Sequence, residues 1–210
     1  MAIIKFPPLD SADESGLLAL GGDLEIESLI LAYSEGIFPW PISKEYPLAW
    51  FSPDPRGVLF LEDFHINRSF KKVLARNEFQ VTFNQNFEAV ILNCSRVRRK
   101  NESGTWITDE IIEAYINLFR NKLAYSVEVS ADGQLVGGLY GVKLNNYYSG
   151  ESMFFSRDNA SKVGLYFLIE KLKSEKIAWI DTQMVTPFFA QMGAKYLARN
   201  DFLKMLKNAV

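Results

Sequence analysis

The chain has 210 residues, 48% of them hydrophobic and 23% charged, with a formal net charge of -2. That length and composition suit one large domain, or one ordinary domain with a small companion, around a sizeable core. A single cysteine (Cys94) and a single histidine (His65) exclude an internal disulfide and a Cys/His zinc site; the net charge excludes a globally basic nucleic-acid binder; and no run of about 18 or more apolar residues predicts a membrane span.

The first residues, Met1 to Pro8, lack the charged lead and long apolar stretch of a secretion signal, so a cytoplasmic protein is expected. No Asp-rich loop suggests a hard-cation site. Residues 1–56 are punctuated by Phe6-Pro7-Pro8, Gly21-Gly22-Asp23, Gly36-Ile37-Phe38-Pro39-Trp40 and Ser52-Pro53-Asp54-Pro55-Arg56, which predicts a compact, turn-rich unit. Within it Leu29, Ile30 and Tyr33 recur at helical spacing, with Gly36 as a stop.

From Gly57 the pattern becomes regular. A strand is predicted over Gly57 to Leu61, a helix over Asn67 to Arg76, a strand through Phe79, Val81 and Phe83, and a helix carrying Phe87, Val90, Ile91 and Cys94. Thr108 suits an N-cap, with Asp109 and Glu110 in the dipole-favoured first turn of a helix bearing Ile111, Ile112, Tyr115, Leu118 and Phe119. Strands follow through Tyr125, Val127 and Val129, over Leu135 to Val142, and over Tyr147 to Phe155, with turns at Asp132-Gly133 and Asn145-Asn146. A helix from about Asp158 to Ser174, a strand over Ile177 to Asp181 and two shorter helices close the chain. This order reads as α+β, with a small N-terminal domain (1–56) and a larger one (57–210).

Five features carry chemistry. Glu151 lies inside the aromatic, apolar strand Gly150 to Ser156, where a carboxylate needs a cation, hydrogen bonds or a role as a base; a salt bridge within the core is the plain alternative. The strand ending Trp179-Ile180-Asp181-Thr182-Gln183 presents polar groups where α/β layers often meet a ligand, though a turn before Pro187 would use the same residues. Leu165, Leu168 and Leu172 fall at i, i+3 and i+7 and share a helix face; with Met153 and Ile180 they would line an apolar pocket, or belong to plain core. Arg68, Lys71, Lys72 and Arg76 share one helix face, and Arg96, Arg98, Arg99 and Lys100 form a second basic cluster; both suit phosphates, and either would also serve as a solvated face. Trp40, Trp106 and Tyr115 lie near turns or a helix start, where exposed rings stack on unpaired bases, although Trp and Tyr are also ordinary core residues. Cys94 and His65 read as structural, and no Gly-x-Ser-x-Gly elbow supports a triad on His65.

The order of short motifs resembles a known family. Leu17-Leu18-Ala19-Leu20-Gly21-Gly22-Asp23-Leu24, Gly36-Ile37-Phe38-Pro39-Trp40 and Trp50-Phe51-Ser52-Pro53-Asp54-Pro55-Arg56 are similar to the N-terminal signature of bacterial leucyl/phenylalanyl-tRNA–protein transferases. His65-Ile66-Asn67-Arg68-Ser69, Gly104-Thr105-Trp106-Ile107-Thr108, Val136-Gly137-Gly138-Leu139-Tyr140-Gly141-Val142, Gly150-Glu151-Ser152-Met153-Phe154, Asn159-Ala160-Ser161-Lys162 and Asp181-Thr182-Gln183 follow in that family's order, from about Phe6 to Leu206.

The resemblance implies an acetyltransferase-like (GNAT-like) C-terminal domain with a mixed, largely antiparallel sheet flanked by helices. It implies transfer of Leu or Phe, Met less well, from aminoacyl-tRNA to proteins with N-terminal Arg or Lys, which marks them for degradation, with no metal, diffusible cofactor or membrane. Residue by residue, it places Asp181, Gln183 and Glu151 in catalysis and acceptor binding. It places Met153, Leu165, Leu168, Leu172 and Ile180 around the transferred side chain, Trp40, Trp106 and Tyr115 around the terminal adenosine of the tRNA, and Arg68, Lys71, Lys72 and Arg76 against tRNA phosphates. On that basis Asp181, acting through Gln183, would orient and help deprotonate the acceptor amine, while Glu151 with Asp181 would neutralise the acceptor's positive side chain. One segment and one position depart from the family: Met184 to Phe189 stands where relatives can carry polar residues, and Thr182 where Cys can occur. Other readings are an acetyl-CoA-dependent N-acetyltransferase, a non-catalytic tRNA-binding protein and a cell-wall aminoacyl transferase. The first wants a glycine-rich turn at a helix start, and Ser156 to Lys162 contains no glycine.

Overall fold

The computed structural model describes residues 2–42, 46–97 and 105–210. Among them the chain is α+β and builds two sheets. The smaller holds β1 (Leu17–Leu20), β2 (Phe38–Pro39) and β3 (Ala49–Phe51) in the order β1-β3-β2, antiparallel, with α1 (Ile26–Ser34) between the first two in the chain. Positions i and i+4 of a helix share a face and i+1 does not, so α1 buries Leu29 and Tyr33 and leaves Ile30 at the surface. Gly36 follows the helix at φ 76°, the left-handed stop read from the sequence.

The larger sheet contains β4 (Arg56–Phe60), β5 (Gln80–Phe83), β6 (Ala124–Ala131), β7 (Gln134–Leu144), β8 (Tyr147–Phe155), β9 (Trp179–Gln183) and β10 (Lys195–Leu197). Their spatial order is β10-β4-β9-β8-β7-β6-β5. Helices α2 (Arg68–Ala75), α3 (Phe87–Ser95), α4 (Asp109–Arg120), α5 (Ala160–Ser174), α6 (Pro187–Gln191) and α7 (Arg199–Lys207) complete it. The side chains of Asn67, Asn86, Thr108 and Thr186 cap α2, α3, α4 and α6 by accepting a backbone N–H from the first turn. Asp132 and Gly133, both at positive φ, form the tight β6–β7 turn, and Asn145 turns β7 into β8.

Both faces of the sheet are covered. One core gathers Phe87, Ile91 and Cys94 of α3, Ile111, Tyr115 and Leu118 of α4, and Tyr140 and Phe154 of the sheet with Leu29, Tyr33 and Trp50 of the N-terminal unit and Phe202 of α7. The other packs Leu165, Leu168, Ile169 and Leu172 of α5 on Tyr125, Val127, Leu139 and Ile180. No helix among the described residues is long and apolar enough to cross a membrane.

Every pairing in the large sheet is antiparallel except β8 with β9, which α5 joins by a crossover. Their one registered pair is Ser149 with Asp181. Two bulges mark the same place. Tyr140 pairs with Ser152 and Gly141 with Gly150, so Glu151 is the extra residue of β8. Gly57 pairs with Gln183 and Val58 with Asp181, so Thr182 is the extra residue of β9. A bulge re-aims its side chain and breaks the ladder. The cleft that opens beyond Ser149 and Asp181 is therefore edged by both bulges.

The observed elements differ from the expected ones at short pieces. The strands β1, β2, β3 and β10 have four residues or fewer, too short for periodicity to reveal. Helix α5 starts at Ala160 rather than Asp158, because Asn159 sits left-handed at φ 70°. Strand β9 runs two residues past Asp181, to Gln183.

Candidate active site

A cavity of about 350 Å³ occupies this cleft. That volume lies within the range of small-molecule sites. Its apolar wall includes Met153 from β8, Leu165 and Leu168 from α5, Ile180 from β9, and Phe188 and Phe189 from α6. Phe38, Trp40 and Trp106 supply aromatic lining, and the polar lining includes Glu151, Ser152, Thr182, Gln183 and Thr186.

Gln183 sits at φ 61°, in the left-handed region that a side chain with a Cβ rarely adopts. Two contacts hold it there. Its backbone N–H donates to Asp181 Oδ1 at 2.8 Å. Gly57 opposite lets the chain pass, since a Cβ on Gly57 would lie 2.5 Å from the backbone carbon of Met184. The amide Nε2 of Gln183 then donates to Glu151 Oε1 at 3.1 Å and Ser149 Oγ at 3.3 Å.

Glu151 also accepts from Ser149 Oγ at 2.9 Å and from the Tyr115 hydroxyl at 3.4 Å. The hydroxyls of Tyr115 and Tyr33 are hydrogen-bonded to each other. Burial holds both phenols well above their ordinary value, with the Glu151 charge adding to the effect, so they stay protonated. Burial likewise pushes the Glu151 carboxyl above the ordinary carboxylate value. Hydrogen bonds from Ser149, Tyr33 and Gln183 work the other way, and the Asp181 charge adds to the upward push.

Asp181 departs from the direct acceptor contact expected of it. Its carboxylate is fully buried, does not line the cavity, and accepts from Arg56 Nε at 2.9 Å, Arg56 Nη2 at 2.7 Å and Tyr147 hydroxyl at 2.5 Å, besides the Gln183 N–H. A guanidinium already neutralises it, so among the described residues the carboxylate open to a cation in the cavity is Glu151. Asp181 meets Gln183 through the Gln183 backbone N–H.

Of the five predicted pocket residues, Met153, Leu165, Leu168 and Ile180 line the cavity. Leu172 does not; it is wholly buried in the α5 core. Seven residues of helix carry it about 10 Å beyond Leu165, past the end of the cavity on the same face. Trp40 and Trp106 line the cavity, but Tyr115 is fully buried in the core and offers only its hydroxyl, by way of Glu151. Arg68, Lys71, Lys72 and Arg76 stand exposed on α2, away from the cavity lining, with Arg76 3.9 Å from Glu78. In the second basic cluster Arg96 is exposed, and Arg98, Arg99 and Lys100 lie outside the described residues. Cys94 is buried in the core, and His65 is exposed with Nδ1 3.1 Å from the Asp63 carbonyl.

Sequence reasoning missed Arg56, Tyr147, Ser149 and Tyr33. Arg56 closes the Ser52-Pro53-Asp54-Pro55-Arg56 motif, but its partner lies 125 residues away. An arginine opening an otherwise apolar strand, Arg56-Gly57-Val58-Leu59-Phe60, was the available signal that a buried anion awaited it.

Comparison with known proteins shows the family. The family model described as leucyl/phenylalanyl-tRNA protein transferase matches residues 58–207, and that of its N-terminal domain matches residues 22–54. A leucyl/phenylalanyl-tRNA–protein transferase of Flavobacterium johnsoniae is 45% identical over 97% of this chain and 95% of its own length. One from Christiangramia forsetii is 47% identical over 96% of each. Among solved structures, a GCN5-related N-acetyltransferase from Kribbella flavida is 9% identical, with a TM-score of 0.39, over 80% of this chain and 60% of that one. The chain belongs to the leucyl/phenylalanyl-tRNA–protein transferase family and is a transferase.

Proposed function

We propose that the chain moves Leu or Phe, and Met less well, from aminoacyl-tRNA onto the N-terminal Arg or Lys of acceptor proteins in the cytoplasm, marking them for degradation. The observation that carries this reading is the meeting of Glu151 and Gln183 with Met153, Leu165, Leu168 and Ile180 around one cavity. The apolar wall suits a bulky aliphatic or aromatic side chain, and Glu151 suits the acceptor's cation. Family membership supports both halves.

The donor ester is already activated, so positioning is the enzyme's main task. The acceptor α-amine attacks the ester carbonyl. The new C–N bond forms, the ester C–O bond breaks, and the ribose oxygen leaves with the proton the amine gives up. Gln183 gives its Nε2 hydrogens to Glu151 and Ser149. Its carbonyl oxygen is therefore the atom suited to accept from the amine and hold the nitrogen lone pair toward the ester. Asp181 acts by fixing the backbone of Gln183 rather than by taking the proton. Trp40 and Trp106 are the rings suited to stack on the terminal adenosine, and the α2 basic face is suited to tRNA phosphates.

Radiolabelled Leu-tRNA and two peptides differing only in N-terminal Arg or Ala test the reading. Label on the Arg peptide and not the Ala peptide is expected. Label on neither, with tRNA still bound, would overturn it and make acetyl-CoA the next donor to try.

A further inference from the structure

Arg56 is wholly buried, yet all three of its guanidinium nitrogens have partners. Nε and Nη2 donate to the two oxygens of Asp181, and Nη1 donates to the Gly36 carbonyl at 2.8 Å. The guanidinium carbon lies 4.8 Å from the ring centre of Phe38 and 4.6 Å from that of Phe202. One side chain therefore joins the N-terminal unit (Gly36, Phe38), the last helix α7 (Phe202) and the strand that ends in Gln183. Phe38 itself lines the cavity.

We infer that Arg56 is a positioning residue for the transfer step, fixing the left-handed conformation of Gln183 through the Asp181 carboxylate. The inference rests on the role given above to Gln183. The bidentate fork fixes the plane of the carboxylate, and that plane aims Oδ1 at the Gln183 N–H. A lysine at position 56 would supply charge without the fork or the plane. An uncharged residue would leave a buried carboxylate without its cation. Its hold on Gln183 would then weaken, because nothing else among the described residues fixes the plane of the Asp181 carboxylate against both of its oxygens. The charged and titratable groups around Asp181 are Arg56 on β4, Tyr147 and Glu151 on β8, and Tyr125 on β6; Arg56 is the only cation among them.

The test compares the wild type with Arg56→Lys, Arg56→Met and the charge-free pair Arg56→Met/Asp181→Asn in single-turnover transfer of Leu to an Arg peptide. Circular dichroism and Leu-tRNA affinity are recorded for each. Transfer by the wild type tests the reading of function separately, so a failure there is told apart from a failure of the role of Arg56. The Lys variant should stay folded and bind tRNA as the wild type does, with its rate at saturation about 10- to 100-fold lower, the size expected for misplacement of a reacting group. The Met variant should be slower still, and the charge-free pair, which also lacks the fork, should not regain the wild-type rate. A Lys variant at full rate overturns the inference. So does one whose tRNA affinity falls with its rate, since Arg56 would then support the whole site. A folded Met variant or charge-free pair that transfers at the wild-type rate overturns it as well; if neither folds, the Lys variant decides alone.

Discussion

Gln183 Nε2 lies 3.1 Å from Glu151 Oε1, and this one bond ties the orienting amide to the only cavity carboxylate without a cation partner among the described residues. Burial holds the Glu151 carboxyl above the ordinary value, so capture of a cationic acceptor should fail on acidification sooner than for an exposed carboxylate. In kcat/KM for an Arg peptide, the acid limb should therefore lie above the usual carboxylate range, and Glu151→Gln should remove it. That variant should also lose about 2–5 kcal/mol of transition-state stabilisation, as when one partner of a buried charge pair is removed. Stability should move the other way. A carboxyl raised in the folded state favours folding below its unfolded pKa, and that contribution is lost as pH rises through the folded value. Above its folded value the wild type bears a buried ionised group that the Gln variant lacks. Thermal melts should thus show Glu151→Gln to be the more stable protein, and a less stable one would argue that the carboxylate is already paired.

The α5 stripe separates two jobs that its spacing alone could not. Leu168 lines the cavity and Leu172 does not. Leu172→Ala should cost about 2–5 kcal/mol in denaturant unfolding, the range for a deleted core leucine. It should leave the ratio of Leu to Phe transfer unchanged. Leu168→Ala should shift that ratio toward Phe by enlarging the wall. Competition between Leu-tRNA and Phe-tRNA reads both, and a changed ratio for Leu172→Ala would place it in the pocket after all.

Which parts were legible in the sequence follows from how local each signal was. The Thr108 cap, the Asp132-Gly133 turn and the Leu165–Leu168–Leu172 face depend on neighbours within a few residues, and each is present. The cavity itself depends on two bulges, at Glu151 and Thr182, which arise from register between strands far apart in the chain. The Arg56–Asp181 pair has the same character, and so does the burial of Tyr115, whose ring packs edge-on to Tyr140. An aromatic residue on a helix reads alike whether it faces solvent or core.

The exposed basic face of α2 should act through charge alone. Neutralising Arg68, Lys71 and Lys72 together should weaken Leu-tRNA binding and flatten its salt dependence, by about 0.7–0.9 in the log–log slope for each phosphate no longer neutralised. Transfer at saturating tRNA should hardly change, because none of the three lines the cavity. Binding titrations at several salt concentrations check this. An unchanged slope would remove α2 from the tRNA surface.

Thr182 offers a gain in stability at the edge of the site. Its Oγ1 is buried without a partner among the described residues, at the bulge where β9 leaves β4. A buried hydroxyl left unpaired costs about 1–3 kcal/mol, and an apolar group of the same shape carries no such penalty. Thr182→Val keeps the branched shape the bulge already holds. It should raise the melting temperature by about 2–4 °C for each kcal/mol recovered in a chain of this size. The bonds that hold Gln183 and Glu151 do not involve Thr182. Thr182 lines the cavity, but its Oγ1 is buried, so single-turnover transfer should stay within about twofold, well under 1 kcal/mol. A more stable variant that transfers slowly would show instead that the hydroxyl meets the substrate, and that its unpaired state belongs to the mechanism rather than to the fold.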